Sequence, residues 1–379
     1  MNFNFTDEQQ LLADSVRRFV RENYSFESRR EVLRSQTGWS RSVWNELAAL
    51  GLTALNVPEE HGGLGASPVE TMLVMNALGE GLLLEPFLAS AVVAPALLAR
   101  CEDSETVRRL LPAIATGERI VVVAHQEAQS RGELAHVTTR AEKSEAGYVI
   151  DGYKAVIAHG AVADELLVTA RVSGQPAGSS GICVFRIAID APGVTVKGFR
   201  SMDGQPTADI ALERVHVSAD DLIASEAQAF SAIEAAHHIA LSALCAEAVG
   251  IMKAMLASTI EYTRSRKQFG QPIAKFQVLQ HRMADMFIQS EQATSMSYLA
   301  AIRCVDPDLM ERRRALAAAK VVIGQAGRFI AQQAVQLHGG MGMTDEMLVS
   351  HYFKRLTAID LTLGDADHHL AKFAALSAA

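Results

Sequence analysis

Cysteine is scarce in this sequence, and the few cysteines are scattered. The 379 residues include four of them, at Cys101, Cys183, Cys245 and Cys304, and none forms a CxxC pair. Disulfide frameworks and zinc sites depend on paired or closely spaced cysteines, so this spacing indicates buried thiols in a reducing compartment. We therefore expect a cytoplasmic protein without a metal site.

The sequence also lacks a basic excess and long hydrophobic runs. The formal net charge is −8, which argues against nucleic acid as a partner because phosphate binding requires a basic surface. No apolar run approaches the ~20 residues that span a bilayer, and residues 1–7 do not resemble a signal peptide. We expect no membrane insertion. With 49% apolar and 21% charged residues, the composition is typical of a folded soluble protein.

The apolar pattern changes twice along the chain. In residues 1–117, a capping box at residues 6–9 precedes an apolar helix face. Residues 118–225 contain short β-rich runs between Gly, Asp and Ser clusters. Residues 226–379 are helical again, with a break at residues 270–272. This order predicts an α+β fold, mostly α: an N-terminal helical domain, a middle antiparallel β-domain and a C-terminal helical bundle.

The most informative phrases lie in the third segment. RKQFGQPI occupies residues 266–273 and is followed by Phe276 and Gln277, and QLHGGMG occupies residues 336–342. Together they resemble the dinucleotide clamp of the acyl-CoA dehydrogenase family, flavoenzymes that desaturate thioesters between Cα and Cβ. VPEEHGGLG, at residues 57–65, is a weaker part of the same resemblance.

The resemblance implies an FAD cofactor, an acyl-CoA substrate and an electron-accepting flavoprotein. In such enzymes the flavin ring sits between the β-domain and the C-terminal helices, while the ADP half reaches into a neighbouring subunit. A guanidinium can pair with pyrophosphate, and glycines let the backbone come close. Alternatively, Arg266 and Lys267 are solvated charges and the glycines merely end a helix; we favour the clamp. By resemblance, its residues are Arg266, Gln268, Phe269, Phe276, Gln277, Gln336, Gly339 and Gly340.

The positions that hold the flavin ring in this family are altered. The family phrase TEPxxGSD is similar to residues 126–133, where Glu127 is retained. Gln126 replaces a hydroxyl that bonds the pyrimidine end of the flavin, and Gly132 replaces a serine near the phosphates. The family's WIT phrase is VIA at residues 156–158, so an indole wall and a hydroxyl beside flavin N5 are lost. We expect poor ring binding in this subunit.

Neither position of the family's catalytic base carries an acid. Removing an α-proton while a hydride leaves Cβ requires a carboxylate against the substrate, but the two family positions hold Leu363 and Ala240. The family also has an arginine one residue after the second position, and this chain has Leu241 there. Asp365, in the phrase GDADHH, is a candidate for a displaced base, although we favour a helix-capping role. Its neighbouring histidines lack the spacing of helical zinc ligands. Glu247 is expected to be an ordinary helix residue.

One hypothesis accounts for both the retained clamp and the altered ring side. The chain is similar to the small subunits of two-component acyl-CoA dehydrogenases, which are associated with pimeloyl-CoA and steroid side-chain CoA thioesters. It would then complete the FAD site of a catalytic partner, in an α2β2 tetramer of lipid or steroid catabolism. Two alternatives stay open: a self-sufficient homotetramer that uses Asp365 as base, and a non-catalytic structural or regulatory homologue.

Overall fold

The computed structural model describes residues 5–102 and 104–378. The chain forms two compact units, each discontinuous in sequence. The helical unit comprises Met1–Glu31, Pro68–Leu83 and Leu241–Ala379, and the sheet unit comprises Val32–Ser67 and Leu84–Ala240. The predicted boundaries after residues 117 and 225 concern segments of sequence rather than compact units, and they stay predictions.

The α-helices account for about half of the described residues. In chain order they are α1 (Asp7–Asn23), α2 (Phe26–Arg34), α3 (Arg41–Ala49), α4 (Pro68–Glu80), α5 (Ala94–Leu98), α6 (Glu105–Ala115), α7 (Ala229–Ser265), α8 (Gln277–Arg303), α9 (Leu309–His338), α10 (Leu348–Leu361) and α11 (Ala366–Ala378). A π-helical segment, Phe87–Val93, leads into α5. Helices α3, α5 and α6 lie in the sheet unit, and α2 and α7 contain residues of both units.

The predicted capping box begins α1. The Thr6 hydroxyl accepts a hydrogen bond from the backbone N–H of Gln9 at 3.2 Å, and the Gln9 side chain accepts one from the Thr6 N–H at 3.0 Å. These bonds satisfy donors that the first turn of a helix leaves open. The buried face that follows includes Val16, Phe19 and Val20, as the spacing predicts.

The strands form one large sheet and one small hairpin. They are β1 (Val121–Ala124), β2 (Arg140–Ser144), β3 (Gly147–Ala158), β4 (Glu165–Arg171), β5 (Ile182–Ala188), β6 (Val194–Arg200), β7 (Pro206–Ser218), β8 (Leu222–Ala224), β9 (Lys267–Gln268) and β10 (Gln271–Pro272). The large sheet has the order β6-β7-β3-β2-β4-β5-β8, with β1 beside β4, and β9 pairs with β10. The helix, sheet, helix order confirms the predicted fold class.

The sheet is not wholly antiparallel, which corrects the prediction. Most neighbouring strands are antiparallel, but β1 runs parallel to β4, with Val121 opposite Glu165, and β2 meets β4 in parallel at Arg140 and Arg171. Strands β2 and β3 lie between β1 and β4 in the chain, so the connection is long enough for a parallel crossover. Short β-rich runs indicate strands but do not reveal the direction of their partners.

Two glycines allow α4 and α7 to pack closely inside the helical unit. A Cβ atom added at Gly250 would lie 1.9 Å from the Asn76 carbonyl oxygen, and one added at Gly79 would lie 2.4 Å from the Glu247 carbonyl oxygen. Real Cβ atoms do not approach other heavy atoms so closely, so these positions require glycine. The close approach fixes the register of α7, the helix that carries Ala240, Leu241 and Glu247.

Helix α7 also corrects the expectation about apolar length. By length and composition it is apolar enough to cross a bilayer. However, 83% of its most apolar stretch is buried within the protein, as in the core helix of a folded domain. One such helix is weak support for a membrane span. Polar residues interrupt its apolar runs, so the sequence shows no uninterrupted run of that length.

Candidate cofactor site

The RKQFG phrase forms a tight β-hairpin with a strained tip. Strands β9 and β10 pair through Gln268 and Gln271, and Phe269 and Gly270 form the turn with φ values of 53° and 78°. Turns with two positive φ values favour Asn-Gly, and a bulky residue there costs about 1–2 kcal/mol. Phe269 is 91% exposed and meets Phe276 edge-on at 6.0 Å. Backbone strain at an exposed aromatic residue is typical of a functional site.

Arg266 stands at the base of this hairpin, just after α7. Its backbone N–H donates to the Tyr262 carbonyl at 2.8 Å, and its carbonyl accepts from the Ile273 N–H at 2.9 Å. The side chain is exposed. Within the described residues its guanidinium has no ion-pair partner, so its donors remain available for a phosphate.

The QLHGG phrase ends α9 with an open stretch of backbone. Gly339 follows His338 with a φ of 62°, and its N–H donates to the Gln336 carbonyl, so the helix-ending interpretation is correct for this residue. A Cβ atom added at Gly339 or Gly340 would meet nothing within 4 Å, and Gln336 is exposed. The segment is therefore accessible to a ligand that lies against the backbone.

Tyr262 and His338 bring the two phrases together. Their rings stack with centroids 4.3 Å apart and an interplanar angle of 23°, and the Tyr262 hydroxyl donates to the His338 carbonyl at 3.3 Å. Tyr262 lies one turn before Arg266, and His338 directly precedes Gly339, so the stack joins segments that are distant in sequence. Sequence reasoning missed both residues, although His338 lies inside the QLHGG phrase itself.

The remaining clamp positions lie beside these segments in sequence. Phe276 is the N-cap residue of α8, and Gln277 is its exposed first residue. The first N–H groups of a helix favour negative charge, and Gln268 is exposed on β9. Guanidinium, side-chain amides and open backbone suit a pyrophosphate and its nucleoside, so the described residues fit the ADP half of FAD.

Glu127, the acid retained from the family's ring phrase, is part of a buried network in the sheet unit. Its carboxylate accepts from the Lys154 ammonium at 2.8 Å, the Thr138 N–H at 2.8 Å and the Thr139 hydroxyl at 2.6 Å. Burial raises the pKa of Glu127, but Lys154 and the hydrogen bonds outweigh it and lower the pKa to about 2. Burial lowers the pKa of Lys154 to about 8. Because these bonds occupy both oxygens of the Glu127 carboxylate, its role is structural.

Arg171 joins the loop that follows Glu127 to the loop between β4 and β5, and sequence reasoning gave no sign of it. The side chain is buried. Its guanidinium donates to the carbonyl groups of Val137, Ala135, Pro176, Gly178, Ser180 and Ser173. Ala135 and Val137 lie in the loop after Glu127, and the other four carbonyl groups lie in the loop between β4 and β5. Together with the Glu127 network, these bonds hold the two loops through contacts within the chain.

The WIT position offers no wall or hydroxyl. Val156 has a φ of 55° and is 52% exposed, and its backbone N–H donates to the Asp209 carboxylate at 2.9 Å. Ala158 and Gln126 are also exposed. The Val156 side chain has no flat ring that could replace an indole against a flavin. The backbone N–H of Val156 already donates to Asp209. These three positions therefore lack the wall and the hydroxyl groups that the family resemblance leads us to expect around a flavin ring.

The family base positions carry apolar side chains in defined environments. Ala240 and Leu241 are buried in α7, and Leu363 has a φ of 60° in the turn after α10. Asp365 accepts the His368 N–H at 2.8 Å at the start of α11, which is a capping geometry. His369 donates to the Leu363 carbonyl at 2.9 Å. Among the described residues, no group of three His, Cys, Asp or Glu side chains could hold a metal.

Glu247 is more than an ordinary helix residue. Its carboxylate binds Arg355 of α10 in a two-bond arrangement, with Nε–Oε1 at 2.6 Å and Nη2–Oε2 at 2.7 Å. Both side chains are buried. Bidentate pairs of this kind are strong and geometrically specific. Glu247 therefore connects α7 to α10 and is unavailable as a base.

Comparison with known proteins identifies the family. The family descriptions "Acyl-CoA dehydrogenase, N-terminal domain", "middle domain" and "C-terminal domain" match residues 6–118, 123–215 and 230–375. The probable acyl-CoA dehydrogenase FadE25 of Mycobacterium tuberculosis is 30% identical over 320 residues, which cover 81% of this chain and 80% of FadE25.

Two solved structures are similar over nearly the whole chain. The ChsE4-ChsE5 complex from Mycobacterium tuberculosis matches with a TM-score of 0.88 and 26% identity, covering 100% of this chain and 99% of that chain. A variant of the Tcur3481-Tcur3483 steroid acyl-CoA dehydrogenase matches with a TM-score of 0.87 and 26% identity, covering 98% of each chain. This chain belongs to the acyl-CoA dehydrogenase family, FAD-dependent oxidoreductases that act on the CH–CH bond of an acyl-CoA.

Proposed function

We propose that this chain supplies the ADP-binding half of an FAD site to a catalytic partner subunit in an α2β2 tetramer. The observation that carries the proposal is an asymmetry within one chain. The clamp segments are exposed and open, whereas the position of the ring wall holds Val156, whose amide is bound to Asp209. A subunit that lends one half of a cofactor site needs the clamp but not the ring wall.

The chain's own residues hold the cofactor rather than the reacting atoms. Arg266 pairs with the pyrophosphate, Gln277 and Gln336 offer amide groups, and Gly339 and Gly340 let the backbone approach the nucleoside. Phe269 and Gln268, on the hairpin, and Phe276 complete the clamp. When bound, FAD accepts the hydride that leaves Cβ of the acyl-CoA.

The partner subunit carries the base. Removal of the α-proton requires a carboxylate, and this chain has Ala240 and Leu363 at the two family positions. Asp365 is engaged by the His368 N–H, which weighs against the self-sufficient homotetramer. The exposed clamp weighs against a purely structural homologue, since a scaffold has no use for an open pyrophosphate site.

The relatives support a substrate class and a setting. A two-component complex and a steroid enzyme stand among the structures with 26% identity, so we place this chain in the degradation of bulky lipid or steroid acyl-CoA thioesters. Electrons pass to an electron-accepting flavoprotein. Four free cysteines are in keeping with a reducing cytoplasm. We also propose that residues 1–117, 118–225 and 226–379 are the three domains of this chain.

The flavin content of the chain purified alone tests the proposal. Visible absorbance and protein concentration give the flavin per polypeptide. We expect far less than one flavin per chain, and we expect a yellow complex when the catalytic partner is co-purified. About one flavin per chain without a partner would favour the self-sufficient homotetramer instead.

A further inference from the structure

We infer that Tyr262 and His338 are positioning residues of the clamp. Their stack sets where the Arg266 hairpin stands relative to Gly339 and Gly340, and thereby sets the affinity for the ADP part of FAD. The inference rests on the proposed function, because it concerns how this chain prepares its half of the site. Neither residue needs to touch the cofactor for this role.

The first step is the connection of each ring to one clamp segment. The Arg266 N–H donates to the Tyr262 carbonyl at 2.8 Å, so the base of the hairpin follows the backbone of Tyr262. Gly339 is joined directly to His338. A change in the separation of the two rings must therefore move one segment relative to the other.

The second step is that the orientation of the imidazole ring is fixed from its own helix. His338 Nδ1 lies 2.8 Å from the Ala334 carbonyl oxygen, so Nδ1 carries the proton and donates it. The residue is 3% exposed, and burial lowers the pKa of His338. A neutral imidazole with one fixed donor presents a constant face to the Tyr262 phenol.

The third step is that the segments beyond the stack are open. A Cβ atom added at Gly339, Gly340 or Gly270 would meet nothing within 4 Å, and Phe269 projects into solvent. The Tyr262 ring and its 3.3 Å hydroxyl bond to the His338 carbonyl lie where each open segment joins its helix. There they can set the distance between the Arg266 hairpin and Gly339.

Substitutions of Tyr262 in the full-length chain test the inference. Tyr262→Leu removes the stack and the hydroxyl bond, whereas Tyr262→Phe keeps the ring. Tyr148→Leu is the matched control, because Tyr148 is also a half-buried tyrosine in a ring pair, with Phe185 at 5.0 Å, but it lies in the sheet unit. Titration with ADP measures affinity, and hydrogen exchange followed by mass spectrometry measures the protection of residues 266–276 and 339–343.

We expect Tyr262→Leu to weaken ADP binding about tenfold, which corresponds to about 1.4 kcal/mol, and to speed exchange in both segments. Tyr262→Phe keeps the stack and loses only the hydroxyl bond, so its effect should be smaller than that of Tyr262→Leu. Tyr148→Leu should change neither property. The inference is overturned if Tyr262→Leu binds ADP as the wild type does, or if Tyr148→Leu weakens binding equally.

Failure of the proposed function gives a different result. If the wild-type chain binds no ADP, either alone or with its partner, the clamp assignment itself is wrong. Hydrogen exchange then decides the positioning role by itself: faster exchange in both segments of Tyr262→Leu supports it, and unchanged exchange overturns it.

Discussion

The Lys154 ammonium lies 2.8 Å from the Glu127 carboxylate, and both side chains are fully buried in the sheet unit. The pair joins β3 to the segment that follows β1, where family resemblance places the flavin ring. Thr138 and Thr139 donate to the same carboxylate, so the fold accounts for its retention. A retained acid in the TEPxxGSD phrase is therefore compatible with the proposed loss of ring binding.

Breaking this pair should destabilise the protein strongly. Lys154→Met leaves the Glu127 carboxylate buried without its cation, and removal of one partner of a buried pair costs about 3–5 kcal/mol. We expect a clear fall in the free energy of unfolding, measured by urea denaturation, and partial recovery in the double variant Lys154→Met with Glu127→Gln.

An exposed pair provides the comparison. Arg314 and Glu311 form an ion pair with side chains that are 48% and 42% exposed, so Arg314→Ala should cost about 0–1 kcal/mol. Equal losses for Lys154→Met and Arg314→Ala would contradict the structural role of the buried network.

Mild acid should weaken the fold through buried histidines. Burial lowers the pKa of His125 and of His369 to about 4, whereas the unfolded chain restores about 6.5. Between these values the unfolded chain binds more protons, so their contribution to stability is complete above pH 6.5 and is lost as the pH falls toward 4. The cost is on the order of 1–2 kcal/mol for each histidine at pH 5.

Urea denaturation at pH 7.5 and pH 5.0 measures this effect. His369→Gln should reduce the difference between the two conditions because it removes one titrating group. Glu127 acts in a lower window: its depressed pKa of about 2 means that its contribution is lost only as the pH falls from about 4.5. An unchanged pH difference in His369→Gln would count against the assignment.

The strained hairpin tip should matter for flavin but not for folding. Phe269→Asn places a residue that tolerates positive φ in the turn, so we expect an unchanged or slightly higher melting temperature. Because Phe269 is 91% exposed, little packing within the chain is lost. Flavin retention by the assembled complex should fall. A variant complex that keeps all its flavin would show that the Phe269 ring has no role in the clamp.

Local sequence signals predicted some features well, and long-range contacts set the rest. The capping box at Thr6 and the order of helical and β segments follow from neighbouring residues. The pairs Glu247–Arg355 and Tyr262–His338 could not be predicted, because each joins residues that only the folded backbone brings together. The six carbonyl partners of Arg171 gave no pattern in the sequence for the same reason. The sequence could suggest the proposed clamp because its residues cluster in two short phrases.

A new acid at the family base position should not create an enzyme. Leu363→Glu places a carboxylate in the turn where Leu363 already has a φ of 60°, so the backbone strain is similar. Since Val156 and Ala158 still lack a ring wall and hydroxyl, we expect no acyl-CoA dehydrogenase activity from the isolated variant with added FAD. A melting temperature near that of the wild type checks its folding. Activity in this variant would favour a self-sufficient homotetramer.

The most direct test of the shared FAD site is Arg266→Gln in the complex with the catalytic partner. Arg264→Gln is the matched control, because Arg264 is also exposed at the end of α7 but is not a clamp residue. The measurement is flavin per complex from visible absorbance, at equal subunit stoichiometry. We predict that Arg266→Gln loses most of its flavin while Arg264→Gln keeps it. Full flavin content in Arg266→Gln would contradict the claim that this chain supplies the ADP-binding half.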